Sequence, residues 1–473
     1  MPTFNDILIL LPEFYLVAAA CVLLLADAFI KPEQRGTLHW LSVVVLLVAT
    51  YLVVAGQPDF TATAFGGMFI RDQASEVVKT FALICTVLVF VFARPYLIDR
   101  KQFVGEFYTL MIFAVLGVML LASAGNLVMV YLGLELLTLS SYALVALNRD
   151  SPLSSEAAIK YFVLGALSSG MLLYGMSMVY GATGTLDLVQ LHGAVVHSAM
   201  PHLLVFGLIF MLVGIAFKLG AAPFHMWIPD VYQGAATPVT TFIASASKLA
   251  AFVMAWRLLD TGLADLSQYW QPMLAVIAAL SMVIGNLVAI VQTNLKRMLA
   301  YSTISHMGFL LMGLVEANPD GYANALFYAV CYALMSTVAF GVILALARSG
   351  FECEEIADLK GLNQRSPWFA ALMALAMFSL AGVPPLFGFY AKYRVLQSAI
   401  DANYLWLAIV GLYYYLHVVK VMYFDQPQEG GADQPAPDMS MRVVLSINGL
   451  ALLALGVYWG PLLGWCRHSF GLG

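Results

Sequence analysis

The sequence predicts an all-α polytopic membrane protein of about fourteen transmembrane helices, each needing about 20 apolar residues to cross. Three observations carry that expectation. Hydrophobic residues make up 62% of the chain and charged residues only 10%, against about 25% charged in a typical soluble protein. Apolar stretches of crossing length follow one another with short polar interruptions. Two stretches are too long for one straight crossing, and each is interrupted by glycine and proline.

In chain order the spans fall near 8–30, 38–56, 73–94, 105–123, 125–147, 156–180 and 203–235. They continue near 239–260, 269–292, 297–316, 321–349, 367–400, 403–424 and 440–462. The first follows an acidic start, with Asp6 and Glu13 and no positive flank, so it reads as a retained helix rather than a cleaved signal. The overlong stretches contain Gly220-Ala-Ala-Pro223 and Gly382-Val-Pro-Pro385. Proline removes a backbone donor and glycine frees φ and ψ, so each stretch reads as two half-helices in series. In a bilayer, such broken backbone is tolerated only where it is buried in protein or lines a watery cavity.

Lysine and arginine set the orientation. Lys31, Arg35, Arg94, Arg100, Lys101 and Arg149 fall on one side, followed there by Lys296, Arg297, Arg348, Lys360, Arg365, Lys420 and Arg442. The alternate loops hold almost none, with Arg71 and Arg467 as exceptions. Both termini therefore belong outside, and the polar segment 425–438 is a short inside loop. The whole chain, 1–473, reads as a single integral membrane domain. Spans four to eight (105–260) and nine to thirteen (269–424) form units of five spans, each with its broken helix fourth. An odd number of crossings makes the second unit an inverted copy, an arrangement that places ion sites in transporters. Residues 1–94 and 440–473 flank the two units.

Several classes are disfavoured. The net charge of −5 is spread thinly, with no basic stripe for nucleic acid. Cys21, Cys85, Cys331, Cys353 and Cys466 lie far apart without a CxxC, which argues against an iron–sulfur site, a metal cage or a disulfide framework. Gly181 to Gly184 follows no strand, so it is no phosphate loop. A metal site at His192, His197 and His202 is disfavoured, and Tyr413, Tyr414 and Tyr415 read as an interfacial belt.

Charge inside the spans is the informative remainder, because ionisable groups there are functional hypotheses by default. Glu135 lies roughly 15 Å below the outer end of its span, near the midplane. Lys248 reaches similar depth from the inner side, and Lys218 immediately precedes the first break. At mid-bilayer these lysines are too short to snorkel to a headgroup. A carboxylate and an ammonium in contact hold each other charged, whereas each alone in low dielectric favours its neutral form. Such a pair is a switch for protons. Lys160, about one turn inside the inner end, fits an entry group with Glu156 as its helix partner, or a snorkelling lysine. His225 past the first break and His306 among Ser302, Thr303 and Ser305 have the chemistry of proton relays, although packing histidines are the alternative. Lys392, beyond the second break, fits a last station before the outer face; a lysine on the protein exterior is the alternative.

These residues sit in motifs. The run Tyr131-Leu-Gly-Leu-Glu135-Leu-Leu-Thr-Leu-Ser-Ser-Tyr142 resembles the fifth-helix motif of the antiporter-like subunits of respiratory complex I. So do Glu156 to Lys160 and onward, Phe217-Lys218 through Asp230, Ala300 through His306, and Leu380 through Lys392, in the family's order. A lysine on the twelfth span suits the N-type branch, and so does a chain without the long lateral helix of the L-type. The resemblance implies Glu135 and Lys218 as input pair, Lys248 as central lysine and Lys392 as output group. Lys160 would stand on the inner approach, with His225 and His306 on the hydrated axis. It further implies a proton-translocating subunit of a bacterial NADH:quinone oxidoreductase in the cell inner membrane, within a hetero-oligomeric membrane arm. FMN, iron–sulfur clusters and quinone would be handled by partner subunits, with no cofactor and no metal in this chain. A cation/proton antiporter subunit, a membrane-bound hydrogenase subunit and a structural spacer are the rival expectations.

Overall fold

The computed structural model describes residues 4–31, 35–57, 61–100, 102–348, 350–408, 416–424 and 438–472. A short α1 (Phe4–Ile9) leads into α2 (Leu11–Phe29) and α3 (Arg35–Ala55); a small hairpin, β1 (Ala62–Ala64) and β2 (Phe69–Arg71), precedes α4 (Gln73–Asp99). Then come α5 (Gly105–Ala122), α6 (Leu127–Val145), α7 (Pro152–Thr183) and the short α8 (Leu188–Val196). The first broken helix is α9 (Pro201–Leu219) with α10 (Trp227–Gly234), followed by α11 (Thr237–Ala244) and α12 (Ala246–Trp256). Next come α13 (Ser267–Ile290), α14 (Leu295–Val315) and α15 (Pro319–Leu346), and a four-residue α16 (Leu362–Arg365) follows. The second broken helix is α17 (Pro367–Ala381) with α18 (Phe387–Asp401), followed by α19 (Leu405–Ala408), α20 (Leu416–Phe424), α21 (Met439–Val457) and α22 (Gly460–His468).

Among the described residues, twelve helical stretches are long and apolar enough to cross a membrane, and α17 is a shorter apolar helix beside them. The expected span 403–424 is represented by α19 and α20. The Tyr413–Tyr415 belt, and the inside loop up to residue 437, lie outside the described residues. Polar caps set the helix starts: Asn126 accepts from Val128 and Met129 N–H, and Asn318 from Gly321 N–H with Pro319 just inside α15. Ser151 caps α7 in the same way, four residues before the apolar run suggests a start. Lys160 consequently lies about two turns from the start of α7. At the centre, α15 is buried on all sides, as expected of a helix apolar around its whole circumference.

Two features escape the apolar pattern. The hairpin pairs Ala62 with Arg71 and Ala64 with Phe69, in strands too short to register as alternation. The span 239–260 is bent at Ser245 (φ −117°, ψ −86°), which separates α11 from α12, and it ends in a π turn over Arg257–Gly262. No glycine or proline marks that bend. Instead Thr241 Oγ1 donates to Thr237 O (2.8 Å) and Ser245 Oγ to Thr241 O (2.6 Å), back-bonding of the kind that bends helices.

Arg71 also finds its explanation. It is buried and donates twice to Glu76, from Nε to Oε1 and from Nη2 to Oε2, both at 3.0 Å. Beside it Lys79 Nζ lies 2.9 Å from Glu13 Oε1 and 3.6 Å from Glu76 Oε1, all three buried. Arg71 is thus neutralised by Glu76 inside the protein rather than standing in a solvated loop. Removing one member of a buried pair costs about 3–5 kcal/mol, because the other charge is stranded. Lys79→Met should therefore lower the melting temperature more than the double change Glu13→Gln with Lys79→Met. Thermal unfolding of the detergent-solubilised protein measures this; equal or greater loss in the double variant would contradict the pairing.

Candidate functional site

The two breaks share one construction. At the first, Gly220 takes the left-handed conformation (φ 77°, ψ 33°), and the Gly220 and Ala221 N–H groups both return to Ala216 O at 2.8 Å. At the second, Gly382 (φ 85°, ψ 41°) and Val383 return to Phe378 O at 3.0 Å. This is the usual way a helix closes its C-terminus, but here it happens inside the bundle, so the last carbonyls still need donors. Lysines supply them. Lys248 Nζ donates to Leu219 O at 2.8 Å, and Lys392 Nζ donates to Ala381 O at 3.1 Å.

Both glycines are required for a second reason. A Cβ on Gly220 would stand 1.8 Å from Ile228 Cδ1 and 3.5 Å from Lys248 Nζ; one on Gly382 would stand 2.9 Å from Lys392 Cδ. The first break is further held by Ser281, whose Oγ accepts Ala222 N–H (2.8 Å), and by Trp227, whose Nε1 donates to Phe217 O (3.0 Å). Lys248 Nζ lies 5.1 Å from the Trp227 ring centroid, and Trp227 stacks on Tyr161 at 4.7 Å, so the ammonium faces a π surface as well as a carbonyl.

The structure brings Lys218 and Lys248 together and leaves Glu135 apart. Lys218, in the last turn of α9, is buried, and its Nζ has no hydrogen-bond partner among the described residues; the same holds for Glu135 Oε1. Lys218 is near enough to feel the charges of both Glu135 and Lys248, but the input pair is not in contact. Between α6, α7 and α9 lies a cavity of about 10 Å³, lined by Thr138, Ser168, Ser169 and Lys218 among others, space on the scale of one water. The Tyr131 hydroxyl reaches both Glu135 and Ser169 at its edge. Glu135 itself is only half-buried, at the flank of the bundle.

Toward the N-terminal end of α7, Lys160 Nζ pairs with Glu156 (2.8 Å), as the spacing predicts, and also with Asp230 Oδ2 (2.7 Å). Asp230 Oδ1 accepts from Arg297 Nη1 at 2.8 Å, so α7, α10 and α14 are joined by one carboxylate. His306 is buried against Tyr328, Nδ1 to hydroxyl at 2.5 Å, and its ring lies 4.9 Å from that of Tyr332. Lys392 Nζ sits 4.8 Å from the Phe309 ring centroid, and its charge reaches His306. His225 stands half-buried in the first break with Nδ1 unpartnered, and no hydrogen bond joins it to either lysine. Trp227, Tyr328 and Ser281 carry no charge that marks them, and Asp230 is not singled out by its spacing. Trp227 and Asp230 fall within a quoted motif, and the other two have no sequence signal. Among the described residues, no group of three or more His, Cys, Asp or Glu side chains is arranged to hold a metal.

A polytopic bundle with two helix breaks, each answered by a lysine ammonium, defines an antiporter-like membrane protein. The transmembrane family model of NADH:quinone oxidoreductase and Mrp antiporters matches residues 124–416. NADH-quinone oxidoreductase subunit N of Xanthomonas euvesicatoria is 53% identical over 99% of this chain and 97% of that relative. Subunit N of Thioalkalivibrio sulfidiphilus is 49% identical over 97% of each. A chain of respiratory complex I from Thermus thermophilus with bound Aureothin superposes with a TM-score of 0.81 at 32% identity, over 96% of this chain and 98% of that one. A chain of the Mrp complex from Dietzia shares the fold, with a TM-score of 0.84 at 20% identity, covering 99% of this chain and 97% of that one. The chain belongs to the NADH-quinone oxidoreductase subunit N family.

Gly220→Ala combines a left-handed backbone, about 1–2 kcal/mol for a residue with a side chain, with the clash on Ile228. Gly184→Ala, at φ 74° with nothing within 4 Å of the added carbon, carries the backbone cost alone. Thermal unfolding should show a clearly larger loss for Gly220→Ala; equal losses would contradict the packing described at the break.

Proposed function

We propose that this chain is the antiporter-like, proton-translocating membrane subunit of a NADH-quinone oxidoreductase. The observation that carries the reading is the matched pair of lysines, Lys248 buried and Lys392 half-buried, donating to orphan carbonyls at two helix breaks. A protonated lysine satisfies such a carbonyl; once it gives up its proton, the bond weakens and the site favours water or a new proton. Lys218, beside Lys248 and without a partner of its own, suits a group that changes protonation, and Glu135 at the flank suits a trigger set by a neighbouring subunit. In this reading Lys160 collects protons at the inner side, Lys218 and Lys248 hold them at midplane, and His306 passes them toward Lys392. His225 belongs to the hydrated break, as a side group rather than a link. The matched breaks also support two inverted units, 105–260 and 269–424.

The subunit carries no redox step itself. NADH oxidation with FMN, electron transfer through iron–sulfur clusters and quinone reduction belong to partner subunits of the complex. Coupling arrives through those neighbours, in a bacterial inner membrane with both chain termini on the outer side. A spacer without a transport role gives no account of two ammonium groups held at mid-bilayer, where each costs several kcal/mol.

Glu135→Ala and Lys218→Ala should leave the complex assembled while coupled quinone reduction and proton pumping in proteoliposomes fall by roughly two orders of magnitude, the lower end of what a positioned proton-transfer group contributes. Native pumping by a fully assembled double variant would sink the assigned roles.

A further inference from the structure

Polar contacts continue outward past Lys392. On α15, Tyr332, Tyr328 and Asn324 are spaced four apart and share one face, covering about 12 Å along the helix. Tyr332 OH pairs with Thr303 Oγ1 (2.7 Å) and Tyr328 OH with His306 Nδ1 (2.5 Å). One turn further out, Asn324 Oδ1 accepts from Arg394 Nε (2.9 Å), and its Nδ2 donates to Ser398 Oγ (2.9 Å). Asn324, Ser398, Tyr328 and Tyr332 are all buried. The Ser398 hydroxyl stands against the carboxyl of Glu316, the residue just after α14. Glu316 Oε1 accepts from Asn318 Nδ2 (3.0 Å), and Oε2 is buried beside them, with no direct hydrogen bond within ordinary geometry among the described residues. The fit is close: a Cβ on Gly321 would stand 3.0 Å from Glu316 Oε2.

We propose that protons leave the second unit for the outer face along this line of α14, α15 and α18, with Glu316 as the terminal proton-releasing group. The inference rests on the reading of Lys392 as a proton station. The proton held at Lys392 and His306 ends on the Glu316 carboxylate, and from there it passes to outer water. Hydroxyls such as Tyr328 and Ser398 accept one proton while giving up another, with water between them. Asn324 is a positioning residue, since its amide holds Ser398 and the Arg394 guanidinium in place. The fixed positive charge of Arg394 repels a proton that lingers midway. Burial pushes the Glu316 carboxyl up, and the neighbouring carboxylates of Asp401 on α18 and Asp320 on α15 add to this, against hydrogen bonds from Ser398 and Asn318. Arg467 of α22 offsets Asp320 at 3.2 Å. Glu316 thereby exchanges protons nearer neutrality than an ordinary glutamate.

The test uses the complete complex in liposomes, with NADH added outside and the outer face toward the lumen, at a series of lumenal pH values. Glu316→Gln should slow lumenal acidification roughly tenfold and flatten its dependence on lumenal pH, Glu316→Asp should restore both, and Lys392→Met should impair pumping at every pH. If Glu316→Gln fails to assemble, Ser398→Ala reads the same route and should show the same slowing. Native pumping and a native pH profile in Glu316→Gln, with Lys392→Met impaired, would overturn the exit while leaving the function standing. Slowing with an unchanged pH profile and no rescue by Asp would assign Glu316 a merely structural role, also against the proposal. Native pumping by Lys392→Met would instead overturn the underlying function.

Discussion

A helix interrupted inside a bilayer exposes carbonyls that neither water nor the next turn can satisfy, and everything distinctive about this protein follows from how it meets that demand. At Leu219 and Ala381 the donors are lysine ammonium groups. The arrangement is reciprocal. The break gives each lysine an acceptor that makes its charge tolerable at depth, and the lysine gives the break a reason to persist. Left-handed Gly220 and Gly382 let the chain turn close beside the ammonium without a Cβ in the way. A bond between a titratable donor and a fixed backbone acceptor changes strength whenever the proton comes or goes, so protonation is tied to the conformation of the broken helix.

Buried charge is handled in two contrasting ways. Around Arg71, Glu76, Lys79 and Glu13, opposite charges neutralise one another within 3.6 Å. That group fastens α2, the hairpin and α4. By contrast, among the described residues Lys218 Nζ has no hydrogen-bond partner, and Lys248 is met by a carbonyl and an aromatic face. A fully paired cluster resists any change of protonation, whereas a lone ammonium in low dielectric is poised for one. Glu135 and Lys218 are not in contact, and a small, mostly apolar cavity lies beside Lys218, so the two charges meet through space rather than through a hydrogen bond.

Much of this was legible in the sequence because a bilayer makes errors costly. Span lengths follow from the thickness of the hydrocarbon layer, and the two breaks from the backbone chemistry of glycine and proline. What stayed hidden depends on contacts between distant segments. Lys248 meets Leu219 across 29 positions of chain, and Lys160 shares Asp230 with Arg297 on another helix. The bend at Ser245 is made by hydroxyls, which are equally at home in straight helices, so spacing alone does not reveal it. The hairpin around Arg71 is too short to show a pattern. His225 lies within the first break, yet among the described residues no hydrogen bond joins it to Lys218 or Lys248, a matter of local geometry that spacing does not give.

The most direct measurement is the proton-to-electron ratio of the assembled complex carrying Lys248→Arg. Arginine keeps the positive charge and can still donate toward Leu219 O, but it does not give up its proton in proteins. If the break needs only a charge, the ratio stays native, and the account of Lys248 as a proton-exchanging station is contradicted. If the proton itself must leave, the ratio drops while assembly and thermal stability stay close to native.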